Sequence, residues 1–466
     1  MQNLPCYQCA ACGTPVDQSD QTTEKCRVCL SECPSVADVE VRVVQAAAKL
    51  RATVDAYRRH CHNLNYASGQ WEWLRSSSSN HARRCQAERA ISAQRALLAL
   101  SNDVRGPIER CLETLPAPHW LDDVLSLDGS NAWDIDHMLP YFYQDWHGTG
   151  DFPMMRDRIR AAVARHAIAA TKFLVVGAGA CGLVRDLALS GFEVHAVDLS
   201  LPCLVLASRL LRGDTLQVAI PHKFERTWRH AMLPGAVPFI TTPRVSVANA
   251  ARLPFQDGSF PVVLTQYLID IATNPTQIIV EIGRVLEEGG LWVNLGLPFG
   301  LSSEPVELGP ICDEALDQVL RELGFELISL ERHSCRLAET GALFDWPEVT
   351  TQWPQLSVAR RERADRREMP DVFQRYRAGT SDSIWNCKYR RLPGRLLRGG
   401  PGSAVVSDAS AAVVRWIGTQ ADGRTTLATL RSAARSVDSR MTDLDLVEVV
   451  RHLCDEGMLA LVTNRE

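Results

Sequence analysis

The sequence lacks any long apolar run. No stretch reaches the ~18 residues of a membrane span, so no transmembrane helix and no membrane partner are expected. It also lacks an excess of positive charge: 50 Lys and Arg against 55 Asp and Glu leave a net charge of −5. That balance argues against sequence-independent nucleic-acid binding across the surface. The first residues, "MQNLPCYQCAAC", contain no basic segment followed by an apolar one, so no secretory signal is read there and a cytoplasmic location is expected. Internal repeats are missing as well. With 466 residues, 46% hydrophobic and 23% charged, the chain is long enough for two or three globular domains with a sizeable core.

Cysteine, by contrast, is abundant: 15, an odd count. Without a signal peptide these read as thiols or metal ligands rather than a disulfide framework. Cys9-x2-Cys12 and Cys26-x2-Cys29, thirteen residues apart, form a C-x2-C…C-x2-C pattern, and "YQCAACGTP" has the cysteine–glycine turn of a zinc knuckle. Four thiolates at this spacing can close a tetrahedral zinc site, and so short a segment needs such a staple to fold. Cys6 and Cys33 are extra and could replace one of the four ligands. The "HCH" at 60–62 is a weaker signal, because His60 and His62 diverge on a helix.

Four regions follow from the patterning. Residues 1–36 are the zinc-ribbon-like segment. Residues 37–165 show apolar spacing of three to four in "VRVVQAAAKLRATVDAYRRH" and "AERAISAQRALLALSNDV", with a loop at 76–80 between two helices. Residues 166–392 alternate strand-like and helix-like segments, the signature of a doubly wound α/β sheet. Within them "RRERADRRE", 360–368, reads as a solvated helix, and "RRLPGRLLRGGPGS", 390–403, as a linker. Residues 404–466 form a last compact module.

In the third region "FLVVGAGACGLVRDLALSGFEVHAVDLS", 173–200, is a strand, a G-x-G-x-x-G turn at Gly177, Gly179 and Gly182, a helix and a second strand ending in Asp198. Glycines let the backbone turn tightly and approach a ligand, and an acid at a strand tip accepts ribose hydroxyls. Either a nicotinamide or an S-adenosylmethionine domain could carry this stretch. Downstream, "VSVANAARLPFQDGSFPVVLTQYLID" at 245–270 and "IIVEIGRVLEEGGLWVNLG" at 278–296 resemble Rossmann-type S-adenosylmethionine-dependent methyltransferases. The resemblance implies that cofactor, with Asn249 reading the adenine where the family usually has Asp, and Pro261 in place of another usual Asp.

A narrower resemblance, over roughly 45–335, is carried by "YFYQDWHGTGDFPMMRDRI", the glycine stretch, "TQYLIDIATNPTQII" and "GGLWVNLG", with a weaker return at "SIWNCKYRRLP". These pieces resemble the carnosine N-methyltransferase family, which methylates an imidazole nitrogen of a histidine-containing dipeptide. The resemblance implies that Asp270 is the carboxylate that orients the imidazole, with Tyr267, Asn294 and Trp385 on the substrate side and Gln144 among the cofactor contacts. The chemistry agrees with that role for Asp270, since a carboxylate accepting one imidazole N–H fixes the tautomer whose other nitrogen attacks. A helix cap is the plainer use of Asp270, and core packing that of Trp292. The departures are definite. No histidine follows the "N-L-G" strand, the tyrosine-rich last strand becomes "SIWNC", and the basic residue of "R-D-W" becomes Gln144. The substrate expected is therefore a histidine imidazole in a small molecule or peptide, not carnosine in particular. Two rivals are another nitrogen or oxygen of a natural-product intermediate, and an inactive methyltransferase-like binding protein.

The C-terminal stretch "DGRTTLATL…VVRHLCDEGMLALV" resembles small winged-helix modules, including the peptide carrier of pyrroloquinoline quinone biosynthesis. That resemblance implies a leader peptide as partner. Asp445, Glu448 and Asp455 on the recognition-like helix disfavour phosphate and hence DNA.

Overall fold

The computed structural model describes residues 7–8, 34–43, 46–115, 135–147, 152–166, 170–222, 227–270, 272, 275–296, 320–321, 323–332, 335–336, 351–352, 355–361, 388–391, 422–437, 446, 450 and 459–462. Two short strands, β1 (Ser35–Val36) and β2 (Val39–Val41), precede a pair of long helices, α1 (Ala46–Ser77) and α2 (His81–Glu113). Asn80 ends the loop between them by capping α2, its side chain accepting the N–H of Arg83 at 3.2 Å. The helices α3 (Ile135–His147) and α4 (Phe152–His166) lead into the sheet.

There the order is β3 (Lys172–Val176), α5 (Gly182–Leu189), β4 (Glu193–Asp198), α6 (Leu201–Leu211), a hairpin of β5 (Leu216–His222) and β6 (Thr227–Leu233), β7 (Arg244–Val247), β8 (Phe260–Gln266), α7 (Pro275–Val285) and β9 (Leu286–Gly296). Beyond them come β10 (Phe325–Arg332), β11 (Cys335–Arg336), β12 (Thr351–Gln352) and β13 (Gln355–Arg361). The last described elements are β14 (Lys388–Arg391), β15 (Asp422–Thr426), α8 (Leu427–Val437) and β16 (Leu459–Val462).

Nine strands form the central sheet in the order β1-β2-β7-β4-β3-β8-β9-β13-β10. Pairing is parallel from β2 through β9, then antiparallel at β13. From Phe173 to Val176 strand β3 is apolar and buried, as a strand covered on both faces requires. Along β8, Val262 and Leu264 pack with α1–α6, while Val263 packs with Ile278, Ile282 and Val285 of α7. This is the doubly wound α/β, methyltransferase Rossmann-like architecture. From β3 the strands are added first on one side, as β4 and β7, and then on the other, as β8 and β9, so a ligand crevice is expected at the carboxyl ends of β3, β4 and β8.

Three details differ from the sequence expectations. Val39–Val41 is not the start of a helical region but a strand, parallel to β7 on the sheet's edge. Arg360 and Arg361 do not open a solvated helix; they end β13, and Arg361 is buried with its guanidinium on the Leu286 carbonyl. Arg390 and Arg391, read as linker, lie in β14, which pairs with β15 and β16. The hairpin β5–β6 was not anticipated. Among the described residues no helix is long and apolar enough to cross a membrane.

Candidate active site

At the carboxyl end of β3, Gly177 and Gly179 hold φ +73° and +51°, which side chains rarely tolerate. Leu268 packs where a Cβ on Gly177 would stand, whereas among the described residues nothing beyond its chain neighbours lies within 4 Å of that position on Gly179. No described residue thus covers that side of Gly179. Its N–H donates to Asp198 Oδ2 at 2.9 Å, and Asp198 Oδ1 accepts the N–H of Ser200 at 2.8 Å. Asp198 thus ties the glycine turn to the start of α6, and burial raises its carboxyl above the usual range.

Gly182 has a different use. A Cβ there would stand 2.5 Å from the carboxyl carbon of Asp145, and the Gly182 N–H donates to Asp145 Oδ2 at 2.9 Å. The third glycine, expected at the cofactor, instead lets α3 dock on the first turn of α5. Trp146 joins this clamp by donating its Nε1–H to the Ala180 carbonyl at 2.7 Å, with Arg185 stacked 4.8 Å over its ring. Arg156, 4% exposed, bridges Asp145 Oδ1 at 3.3 Å and Asp186 Oδ2 at 2.6 Å. Burial raises the Asp145 carboxyl, and Arg156 opposes that shift. An anionic carboxylate at a helix N-terminus is favoured by the exposed amides and the helix dipole.

Asp270 is buried beyond the tip of β8, where Tyr267 turns the chain at φ +49° and donates its N–H to the Leu295 carbonyl at 2.7 Å. Its Oδ1 lies 3.0 Å from where a Cβ on Gly296 would stand. Helix α7 starts only at Pro275, too far along for Asp270 to be its N-cap. On the other wall Tyr141 of α3 feels Asp270; burial first and that carboxylate second push its phenol up.

Asn294 is buried in β9, accepting the Thr265 hydroxyl at 2.8 Å, while Trp292 donates to the same hydroxyl at 2.9 Å. Trp292, 1% exposed, is core. Asn249 accepts the Ala251 N–H at 2.9 Å in a tight turn after β7. Gln144, next to the clamp, is buried, and its Oε1 meets no hydrogen-bond donor among the described residues. Gly177, Gly179, Asp198 and Asp270 are thus brought to one end of the sheet. Trp385 and Cys9, Cys12, Cys26 and Cys29 lie outside the described residues, and no metal-holding group of His, Cys, Asp and Glu occurs among those described.

Sequence reasoning missed Tyr141, Arg156 and Asp186, and it noted Asp145-Trp146 without a role. Tyr141 and Asp145, one helical turn apart, share a face of α3, which was legible; where that face docks was not.

With that geometry described, the chain can be set beside known proteins. The family described as "Methyltransferase domain" matches residues 174–293, the stretch that runs from β3 to β9. Among solved structures, the chain is similar to a S-adenosylmethionine-dependent methyltransferase from Methanosarcina mazei at 17% identity and TM-score 0.30, covering 41% of this chain and 92% of that one. It is similar to phosphoethanolamine N-methyltransferase 2 of Haemonchus contortus, solved with S-adenosyl-L-methionine, at 17% identity and TM-score 0.31, covering 44% of this chain and 53% of that one. The YcgJ protein of Bacillus subtilis matches at 14% identity and TM-score 0.29, with 42% and 93% covered. The curated proteins include no significant match.

Proposed function

We propose that the chain is an S-adenosylmethionine-dependent N-methyltransferase acting on a ring nitrogen of a histidine imidazole, in a small molecule or a peptide. The observation that carries this reading is the buried carboxylate of Asp270, two residues past the Leu268 that packs on Gly177 of the glycine turn. The residues fit the cofactor. Gly179 leaves its backbone uncovered, Asp198 stands at the strand tip for the ribose, Asn249 offers its amide to the adenine, and Gln144 has a carbonyl oxygen for an ammonium group. Bound there, the cofactor supplies an electrophilic methyl on sulfonium sulfur. Asp270 accepts the N–H of the substrate imidazole and so leaves the lone pair on the other nitrogen aimed at that methyl. It also stabilises the positive charge that grows on the ring as the N–C bond forms and the S–C bond breaks. The ring proton then leaves through the Asp270 carboxylate. Tyr267 and Asn294 support the same mouth.

Two further parts belong to this reading. Cys9, Cys12, Cys26 and Cys29 would hold a structural zinc. The sheet β15-β14-β16 with α8 would be the scaffold of a winged-helix-like module for a leader peptide. Calorimetry with S-adenosylhomocysteine, followed by turnover assays on histidine-containing peptides, tests the central proposal. Binding of NAD in place of the homocysteine product would overturn it. Methylation of a lysine or hydroxyl substrate but of no imidazole would move it to another acceptor.

A further inference from the structure

Tyr7 lies far from the glycine turn in sequence, between Cys6 and Cys9, yet it is 3% exposed. Its ring sits 5.1 Å from that of Phe255 and 3.9 Å below the Arg42 guanidinium. Its hydroxyl meets His195 Nδ1 at 3.0 Å, and His195 Nε2 meets Glu193 Oε1 at 3.1 Å. Glu193 as a carboxylate can only accept, so Nε2 carries the imidazole proton and Nδ1 is left to accept from Tyr7. Next along the chain, the Gln8 N–H donates to the Pro254 carbonyl at 3.0 Å.

These and neighbouring contacts hold the chain on either side of Asn249 in sequence. After it, residues 253–255 are held by Tyr7 and Gln8 on one flank. On the other, Glu281 Oε1 accepts the Leu253 N–H at 2.8 Å, and Arg284 donates to the Leu253 and Phe255 carbonyls at 2.9 and 2.6 Å. Before it, the Arg42 N–H donates to the Val247 carbonyl at 2.8 Å, just past β2, which pairs with β7. The two ends of the cysteine-bearing segment therefore meet at Tyr7 and Arg42, on the flanks of the turn assigned to the adenine.

We propose that Tyr7 is a positioning residue for the cofactor, bracing the Asn249 turn so that docking of the N-terminal segment and cofactor binding reinforce each other. The role of Asn249 rests on the proposed function; the brace does not. A residue that merely fills a core stabilises free and bound protein alike. One that orders a binding turn lowers the cost of binding, and by linkage the ligand must in return hold the segment down.

Tyr7→Ala should raise the exchange rate of the Ala251–Phe255 amides and weaken S-adenosylhomocysteine binding on the order of tenfold, with kcat at saturating cofactor unchanged. Tyr7→Phe, which keeps the ring and loses only the hydroxyl's bonds to His195 and Arg244, should recover most of the affinity. Gln8→Pro removes two donors to the same turn, the backbone N–H to the Pro254 carbonyl and the side-chain Nε2 to the Leu253 carbonyl, and serves if the alanine variant does not fold. In the wild type, saturating S-adenosylhomocysteine should slow proteolysis within residues 1–33. Unchanged exchange in a folded variant overturns the brace, and faster exchange with unchanged affinity overturns the linkage. If the wild type binds no S-adenosylhomocysteine, the methyltransferase reading falls first, and the exchange rates still decide whether Tyr7 holds the turn.

Discussion

The Asp145 carboxylate and the Gly182 backbone are fitted to each other: Asp145 Oδ2 accepts the Gly182 N–H at 2.9 Å in the space a Cβ on Gly182 would fill. Neither residue can change alone without disturbing the glycine turn. Gly182→Ala should destabilise the protein and weaken S-adenosylhomocysteine binding, because the carboxylate must be displaced. Asp145→Ala removes a charge-assisted bond and leaves Arg156 with one fewer partner in a buried place, a cost of about 1–3 kcal/mol. The two changes together should cost clearly less than their sum. A denaturant double-mutant cycle reads this directly, and simple additivity would show that the contact carries no coupling.

Asp270→Asn separates orientation of the substrate from structure. The cofactor contacts lie elsewhere, so S-adenosylhomocysteine affinity should stay within a few-fold of wild type. Methyl transfer should fall on the order of 10²-fold or more, because an amide cannot stabilise the imidazolium as a carboxylate does. Unchanged turnover with a lowered melting temperature would assign Asp270 to structure.

For the N-terminal cysteines the expected outcome is about one zinc per chain in reduced protein purified without added metal. Replacing Cys9 or Cys26 with serine should lower that ratio. Elemental analysis measures both, and metal-free wild-type protein would remove the proposal.

The Tyr7–His195–Glu193 chain should make stability depend on pH. Burial holds the His195 pKa below its usual value of 6.5, Glu193 opposes that shift, and Lys172 and Arg244 add to it. With a lowered folded-state pKa, the neutral ring's stability is fully present above about pH 6.5, where both states are deprotonated. It is lost as the pH falls from there through the folded value, since the unfolded chain takes up the proton first. Protonation would also remove the acceptor for the Tyr7 hydroxyl. The melting temperature should therefore drop more steeply between pH 7 and 5 in the wild type than in His195→Gln. Equal slopes would show that His195 is not the group responsible.

Some of this protein could be read directly from neighbouring residues. The apolar run at Phe173–Val176, the glycines that take φ near +50° to +75°, and Asp198 closing the second strand are set by local steric and burial rules. Repeated along residues 173–296, those rules specified a doubly wound sheet and the end of it where a ligand binds. What they could not supply were partners brought together by the folded chain. Val39–Val41 is too short a strand to leave a periodic signal, and its place beside β7 depends on a sheet edge built some two hundred residues later. Gly182 looked like the third glycine of a cofactor-binding turn because its real neighbour, Asp145, is 37 residues away on another helix. Tyr7, 188 residues from His195, is an ordinary aromatic in a cysteine-rich segment until tertiary packing closes the distance. Turns and strand faces follow from energies within a few residues, whereas which carboxylate caps which helix, and which side chain fills which hollow, follows only from long-range contacts made once the sheet has formed.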